Sequence, residues 1–170
     1  MHTPHDEEMM GLALAEASAA LQAGVFPVGA VLATPDRVLG RSHKHMGSNH
    51  LAHAEMNLFH SVFNGDYPFQ RGDGITLYTT LEPCVMCFGT FLHLPLQRLV
   101  FSMEDAYGGC AGTRMHPAPP RHQHSAPQIV GGLHRNESRA LFARFLQATD
   151  EPFWVNGGAP EFQAAVRGPV

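Results

Sequence analysis

Hydrophobic and polar positions along the chain fall into segments whose spacing separates helices from strands. From Pro4 to about Gln22 an alanine- and leucine-rich stretch predicts a helix. Thr3 is its N-cap, Pro4 its first helical position, Asp6 and Glu7 lie in its first turn, and Gly24 is its stop. PVGAVLA (27–33) predicts a buried strand, and RVLGRS (37–42) its returning partner across a Pro35-Asp36 turn. After a polar loop (43–50), Leu51, Met56, Leu58, Phe59 and Val62 supply the apolar side of a helix from about Leu51 to Phe63. ITLYTT (75–80) predicts a strand by its β-branched and aromatic content, LEPCVMC leads into a helix through about His93, and RLVFSM (98–103) predicts the next strand. APQIVGGL (126–133) holds a last short strand, and Asn136 is the expected cap of a helix bearing Ala140, Leu141, Phe142, Phe145 and Leu146. Strands alternating with helices imply crossover connections and an α/β sheet covered on both faces. The expected division is a folded domain over 1–150 and an aromatic, Gly/Pro-containing C-terminal extension over 151–170, without internal repeats.

Length and composition narrow the classes. A chain of 170 residues suits one domain with a real core, and 44% apolar against 15% charged residues fits a globular protein rather than a disordered one. No apolar run reaches bilayer-spanning length, and MHTPHDEEMM lacks the basic and apolar regions of a signal peptide, so no membrane partner and a cytoplasmic location are expected. The formal charge is −4 and Lys44 is the only lysine, which lowers the expectation of nucleic-acid binding, although ten arginines could cluster. The histidine-rich RMHPAPPRHQHS (114–125) has no fixed ligand spacing and reads as a polar surface loop. Three cysteines, two of them in Cys84-Val85-Met86-Cys87, point away from a disulfide framework and toward a metal or redox pair.

The chemistry lies in two short stretches. Cys84 and Cys87, at a strand-to-helix turn, can face one ion, and the positive end of the helix favours their thiolate forms. A redox pair would leave His53-Ala54-Glu55 unexplained. His53 with the two cysteines makes three ligands, the number found in catalytic zinc sites that keep a fourth position for water. Cys110 as a fourth ligand would instead close the site and make it structural. On ideal helix geometry Glu55 points about 200° from His53. The two converge only if His53 sits at the helix N-terminus, and otherwise Glu55 is a first-turn acid on the helix dipole.

His53-Ala54-Glu55 with Pro83-Cys84-Val85-Met86-Cys87 is the H-x-E…P-C-x-x-C signature of the zinc-dependent nucleobase deaminases. The chain resembles the cytidine/deoxycytidylate deaminase superfamily, and most its bacterial tRNA adenosine deaminase branch. FPVGAVL, AHAE, LYTTLEPCVMC, EDAYGGCAGT and GGLHRNESRALFARFL carry the resemblance in order over roughly residues 6–148. It implies a three-layer α/β/α sandwich with a central mixed five-stranded sheet, and a homodimer with active sites near the interface. It also implies one Zn2+ per chain on His53, Cys84 and Cys87, with a bound water or hydroxide as fourth ligand and Glu55 as proton shuttle. Zinc lowers the pKa of such a water to about 7.

The substrate is the less determined part. Relatives of this kind typically carry an asparagine about a dozen residues before the histidine, where this chain has Ser42 and His43. AYGGCAGT (106–113) favours the adenosine-type branch over the guanine-type one. Asp105 lies where the relatives contact the nucleotide chain, or else caps a turn. Phe26, Val28 and Ala54 are expected in the wall of the base pocket. Phe153 and Trp154 either stack on a ring and close that pocket or pack on the core or a partner subunit. The leading expectation is a zinc hydrolase that removes an exocyclic amine from a free nucleobase or nucleoside and releases ammonia. The alternative is adenosine in tRNA, giving inosine, which the charge disfavours. From a different class comes a non-catalytic, zinc-stabilised binding protein closed by Cys110.

Overall fold

The computed structural model describes residues 2–45, 49–65, 68–111 and 127–168, so the histidine-rich loop 114–125 lies outside the described residues. The chain begins with α1 (Pro4–Gln22), whose Thr3 hydroxyl accepts from the Asp6 N–H while the Asp6 carboxylate accepts from the Thr3 N–H. Then come β1 (Gly29–Ala33), β2 (Val38–His43), α2 (Ala54–Phe63), a 3-10 turn at Arg71–Asp73, β3 (Thr76–Leu81), α3 (Val85–His93), β4 (Arg98–Met103) and β5 (Gln128–Val130). Three further helices follow: α4 (Arg135–Ala148), α5 (Pro152–Val155) and α6 (Pro160–Arg167).

The strands form one mixed sheet in the order β2-β1-β3-β4-β5. β1 runs antiparallel to both β2 and β3, while β3, β4 and β5 run parallel. The parallel β3–β4 and β4–β5 pairings both need crossovers, and α3 supplies the first. Side chains alternate across the sheet as its pleat demands. Val31, Ala33, Tyr78 and Val100 pack with Met9, Met10 and Ala13 of α1. Ala30, Leu32, Leu77 and Leu99 pack with Leu58 and Phe59 of α2 and Phe88 and Phe91 of α3. α4 lies against α1 and β4, so helices flank both faces, as the periodicity implies. The first helix sits so close to the sheet that a Cβ on Gly29 would stand 2.1 Å from the Ala13 carbonyl oxygen, which only glycine permits. Among the described residues no helix is long and apolar enough to cross a membrane.

Two helices start elsewhere than their sequence suggests. Residues 51–53 are not helical. The Asn49 side chain accepts from the Leu51 N–H at 3.0 Å, and Ala52 and His53 donate to Asn49 and Leu51 carbonyls, which holds these residues in a turn. α2 therefore begins at Ala54 with His53 as N-cap. Asn136 is not a cap either. His134, at φ 54°, holds the N-cap position of α4, and its carbonyl accepts from Ser102 Oγ and from the Ser138 N–H. Tertiary contacts thus set that start two residues before the residue with the better capping chemistry.

Residues beyond 150 are part of the packing. Ala159, Phe162 and Val166 are buried in the same apolar cluster as Phe142.

Candidate active site

The site forms where two helices begin at the same end of the sheet. His53 is the N-cap of α2 and Cys84 the N-cap of α3, and Cys87 lies in the first turn of α3. His53 Nδ1 stands 3.7 Å from Cys84 Sγ and 3.6 Å from Cys87 Sγ. Ordinary zinc bonds of about 2.1 Å to nitrogen and 2.3 Å to sulfur give tetrahedral edges of about 3.6 Å. Both nitrogen–sulfur spacings therefore match edges of a zinc tetrahedron. Among the described residues these three atoms form the one group of three such donors within 4.8 Å of each other, and Cys110 is not among them. Cys110 is tied by its backbone N–H to the Pro83 carbonyl, and burial raises its thiol pKa to about 11. The closed site with Cys110 as fourth ligand is not built.

The electrostatics agree with the donor set. A hydrogen bond from Cys87, together with one from His53, outweighs burial and draws the Cys84 thiol down to about 3. Cys87 is pushed up by that same hydrogen bond and by burial, so the pair holds one proton between them. Hydrogen bonding to Cys84 raises the His53 imidazole. A divalent cation held by these three residues would take the place of those protons. Glu55, only 3% exposed, is the second residue of α2, and its carboxylate accepts from Thr79 Oγ1 of β3 at 3.3 Å. Burial raises its pKa. The condition for Glu55 to converge with His53, an imidazole at the helix start, is met.

These groups open into a cavity of about 660 Å³ at the carboxyl ends of β3 and β4. Ligands commonly bind at this edge of an α/β sheet. Of the expected substrate contacts, Phe26, Val28, Ala54, Asp105, Phe153 and Trp154 line it. Asp105 also caps a turn, accepting from the N–H groups of Tyr107 and Gly108 at 3.0 Å each, so the turn-capping reading is met at a residue that borders the cavity. Trp154 stacks flat on Phe26, with centroids 5.0 Å apart, and so packs on the core while bordering the cavity. Ser42 and His43 do not line it. Ser42 Oγ donates to the His43 carbonyl, and His43 Nδ1 meets Glu16 of α1 at 2.7 Å. The cavity instead takes Lys44, His45 and His50 from the loop just beyond, and Glu82, Tyr107 and Glu151 from other loops. Sequence reasoning missed these six. The only signal was Lys44's being the sole lysine, close ahead of a metal motif.

A mixed sheet with a histidine, two cysteines and a buried glutamate at paired helix starts defines a zinc deaminase class. Residues 3–103, more than half of the chain, match the profile of the cytidine and deoxycytidylate deaminase zinc-binding region, and the chain belongs to that family. His53, Cys84 and Cys87 are the zinc-binding triad typical of it. Among curated proteins, the tRNA-specific adenosine deaminase of Bacillus subtilis (strain 168) is 32% identical over 144 residues, 84% of this chain and 89% of that one. The tRNA-specific adenosine deaminase of Haemophilus influenzae is 35% identical over 151 residues, 86% of each chain. A structure solved in a study of A-to-I editing by tRNA:A34 deaminases at the wobble position of transfer RNA superposes with a TM-score of 0.68 at 33% identity. It covers 79% of this chain and 98% of its own.

Proposed function

We propose that this protein deaminates adenosine in transfer RNA to inosine. The observation that carries the reading is identity of about a third to tRNA-specific adenosine deaminases over most of both chains, joined to a zinc triad and a buried glutamate in one cavity. This reverses the order of substrates read from charge. The net charge of −4 is a sum over the whole chain and does not set the charge of any one face. The sole lysine faces the cavity, alongside Glu55, Glu82, Asp105 and Glu151.

Zinc on His53, Cys84 and Cys87, with water in the fourth position, would lower the pKa of that water and so supply hydroxide near neutral pH. Val28 and Leu81 give the cavity apolar walls that exclude bulk water from the base. Glu55, oriented by Thr79, takes the proton of the attacking water and delivers it to N1 as the oxygen bonds to C6 of the adenine. It then carries a second proton to the exocyclic amine, which leaves as ammonia. Water and adenosine are consumed, and inosine and ammonia are formed. The same resemblance makes a homodimer the proposed assembly.

The test is a side-by-side assay of zinc-loaded protein on tRNA, on an anticodon hairpin, and on free adenosine, cytidine and guanine, following inosine and ammonia. Inosine from the RNAs, with little release from the free compounds, is the expected result. Ammonia from a free base or nucleoside and none from RNA overturns the reading.

A further inference from the structure

The C-terminal segment brings to the cavity mouth an aromatic ring that the reaction itself does not use. Phe153 is 51% exposed, yet it is firmly held. Its ring meets Trp154 edge-on at 4.9 Å, and Trp154 lies flat on Phe26, which in turn packs on Phe142 and Phe162 of the core. Behind it the backbone is latched. The Gly158 N–H donates to the Phe153 carbonyl at 2.8 Å, and the buried Gln163 amide donates to the carbonyls of Trp154 and Gly158 at 3.0 and 2.9 Å. A Cβ on Gly158 would lie 2.5 Å from the Phe153 carbonyl oxygen and 2.7 Å from its ring, so this turn fits the ring only with glycine. The same cavity carries a second exposed ring, Tyr107 at 60%, fixed by the turn that Asp105 caps.

Leaving a large apolar ring in water and immobilising it forgoes burial without gaining freedom. An exposed, pre-ordered aromatic ring at the mouth of a base-binding cavity is a stacking surface. Unpaired RNA bases stack on such rings whatever their identity. Among the described residues lining the cavity Lys44 is the one lysine or arginine, so stacking also substitutes there for a basic grip.

We propose that Phe153 stacks on the base adjoining the target adenosine, with Tyr107 as a second aromatic surface on the same cavity. The inference rests on the proposed action on RNA. It is tested with an anticodon hairpin carrying 2-aminopurine next to the target, using Phe153→Ala and Phe153→Trp in the zinc-loaded, full-length protein. Phe153→Ala is expected to raise KM for the hairpin about ten-fold or more, within what the stacking of one base supplies. It is also expected to abolish the fluorescence quench on binding, with zinc content and melting temperature kept, while Phe153→Trp restores both. Unchanged KM and quench in Phe153→Ala overturn the platform alone. A change of oligomeric state in that variant assigns the ring to a subunit interface and overturns it too. Absence of inosine from any RNA with the unaltered protein overturns both this inference and the reading beneath it.

Discussion

Glu55 shows how one position can be costly to the fold and necessary to the chemistry. A carboxylate this buried is costly unless its surroundings use it. Thr79 gives it one hydrogen bond, and the paired helix starts place it beside the donor triad. Glu55→Gln keeps the shape and the hydrogen-bonding oxygen and removes the ability to carry protons. The expected outcome is full zinc occupancy by metal analysis with inosine formation reduced about 100-fold or more. Near-normal turnover in that variant would take the proton shuttle away from Glu55. Cys110 is the opposite case: a plausible ligand by type that the backbone holds outside the donor group.

Among elements, α1 is fastened to the sheet by one buried polar network. Asp6, 1% exposed, accepts from Arg98 of β4 and, at 2.9 Å, from the Tyr78 hydroxyl of β3, as well as from the Thr3 N–H. Burial alone would raise its pKa, but these donors outweigh it and hold the carboxyl well below the usual range. A carboxyl depressed in the folded state stabilises fully above its unfolded pKa of about 3.9, and that stability is lost as pH falls toward the folded value. Thermal melts should therefore show the wild type losing stability below about pH 4. Asp6→Asn should be destabilised near neutrality by about 3–5 kcal/mol, the cost of stranding a buried charge, and should lack this part of the acid dependence. Equal stability of the two proteins at pH 7 would show that the network does not fasten α1.

For the whole molecule, the distribution of charge matters more than its sum. Lys44 lines the cavity beside Glu82, Asp105 and Glu151, and no arginine is among the described residues that line it. RNA binding by such a surface should weaken with salt, but shallowly, because few phosphates are neutralised. Lys44→Ala should lower the slope of log affinity against log salt by about one and weaken binding evenly across sequences. Anisotropy titrations of a labelled anticodon hairpin over a salt series read this directly, and an unchanged slope would remove Lys44 from the RNA contact.

The chain's own residue order determined the elements and the metal donors, for a common reason: both are local. Burial on one side of a helix or strand leaves a period in the sequence, and a Cys-x-x-Cys pair needs only a single turn of chain to meet one ion. Even the start of α1, set by Thr3, Pro4 and Asp6, is local chemistry. The tertiary structure decided what depends on strand order and pleat. It turned Ser42 and His43 away, made His53 the cap rather than a first-turn residue, and moved the start of α4 from Asn136 to the strained His134. It also gathered Lys44, Tyr107 and Phe153 around one opening. No period or spacing records that gathering, because these side chains come from separate segments of the chain that are neighbours only once the sheet has formed.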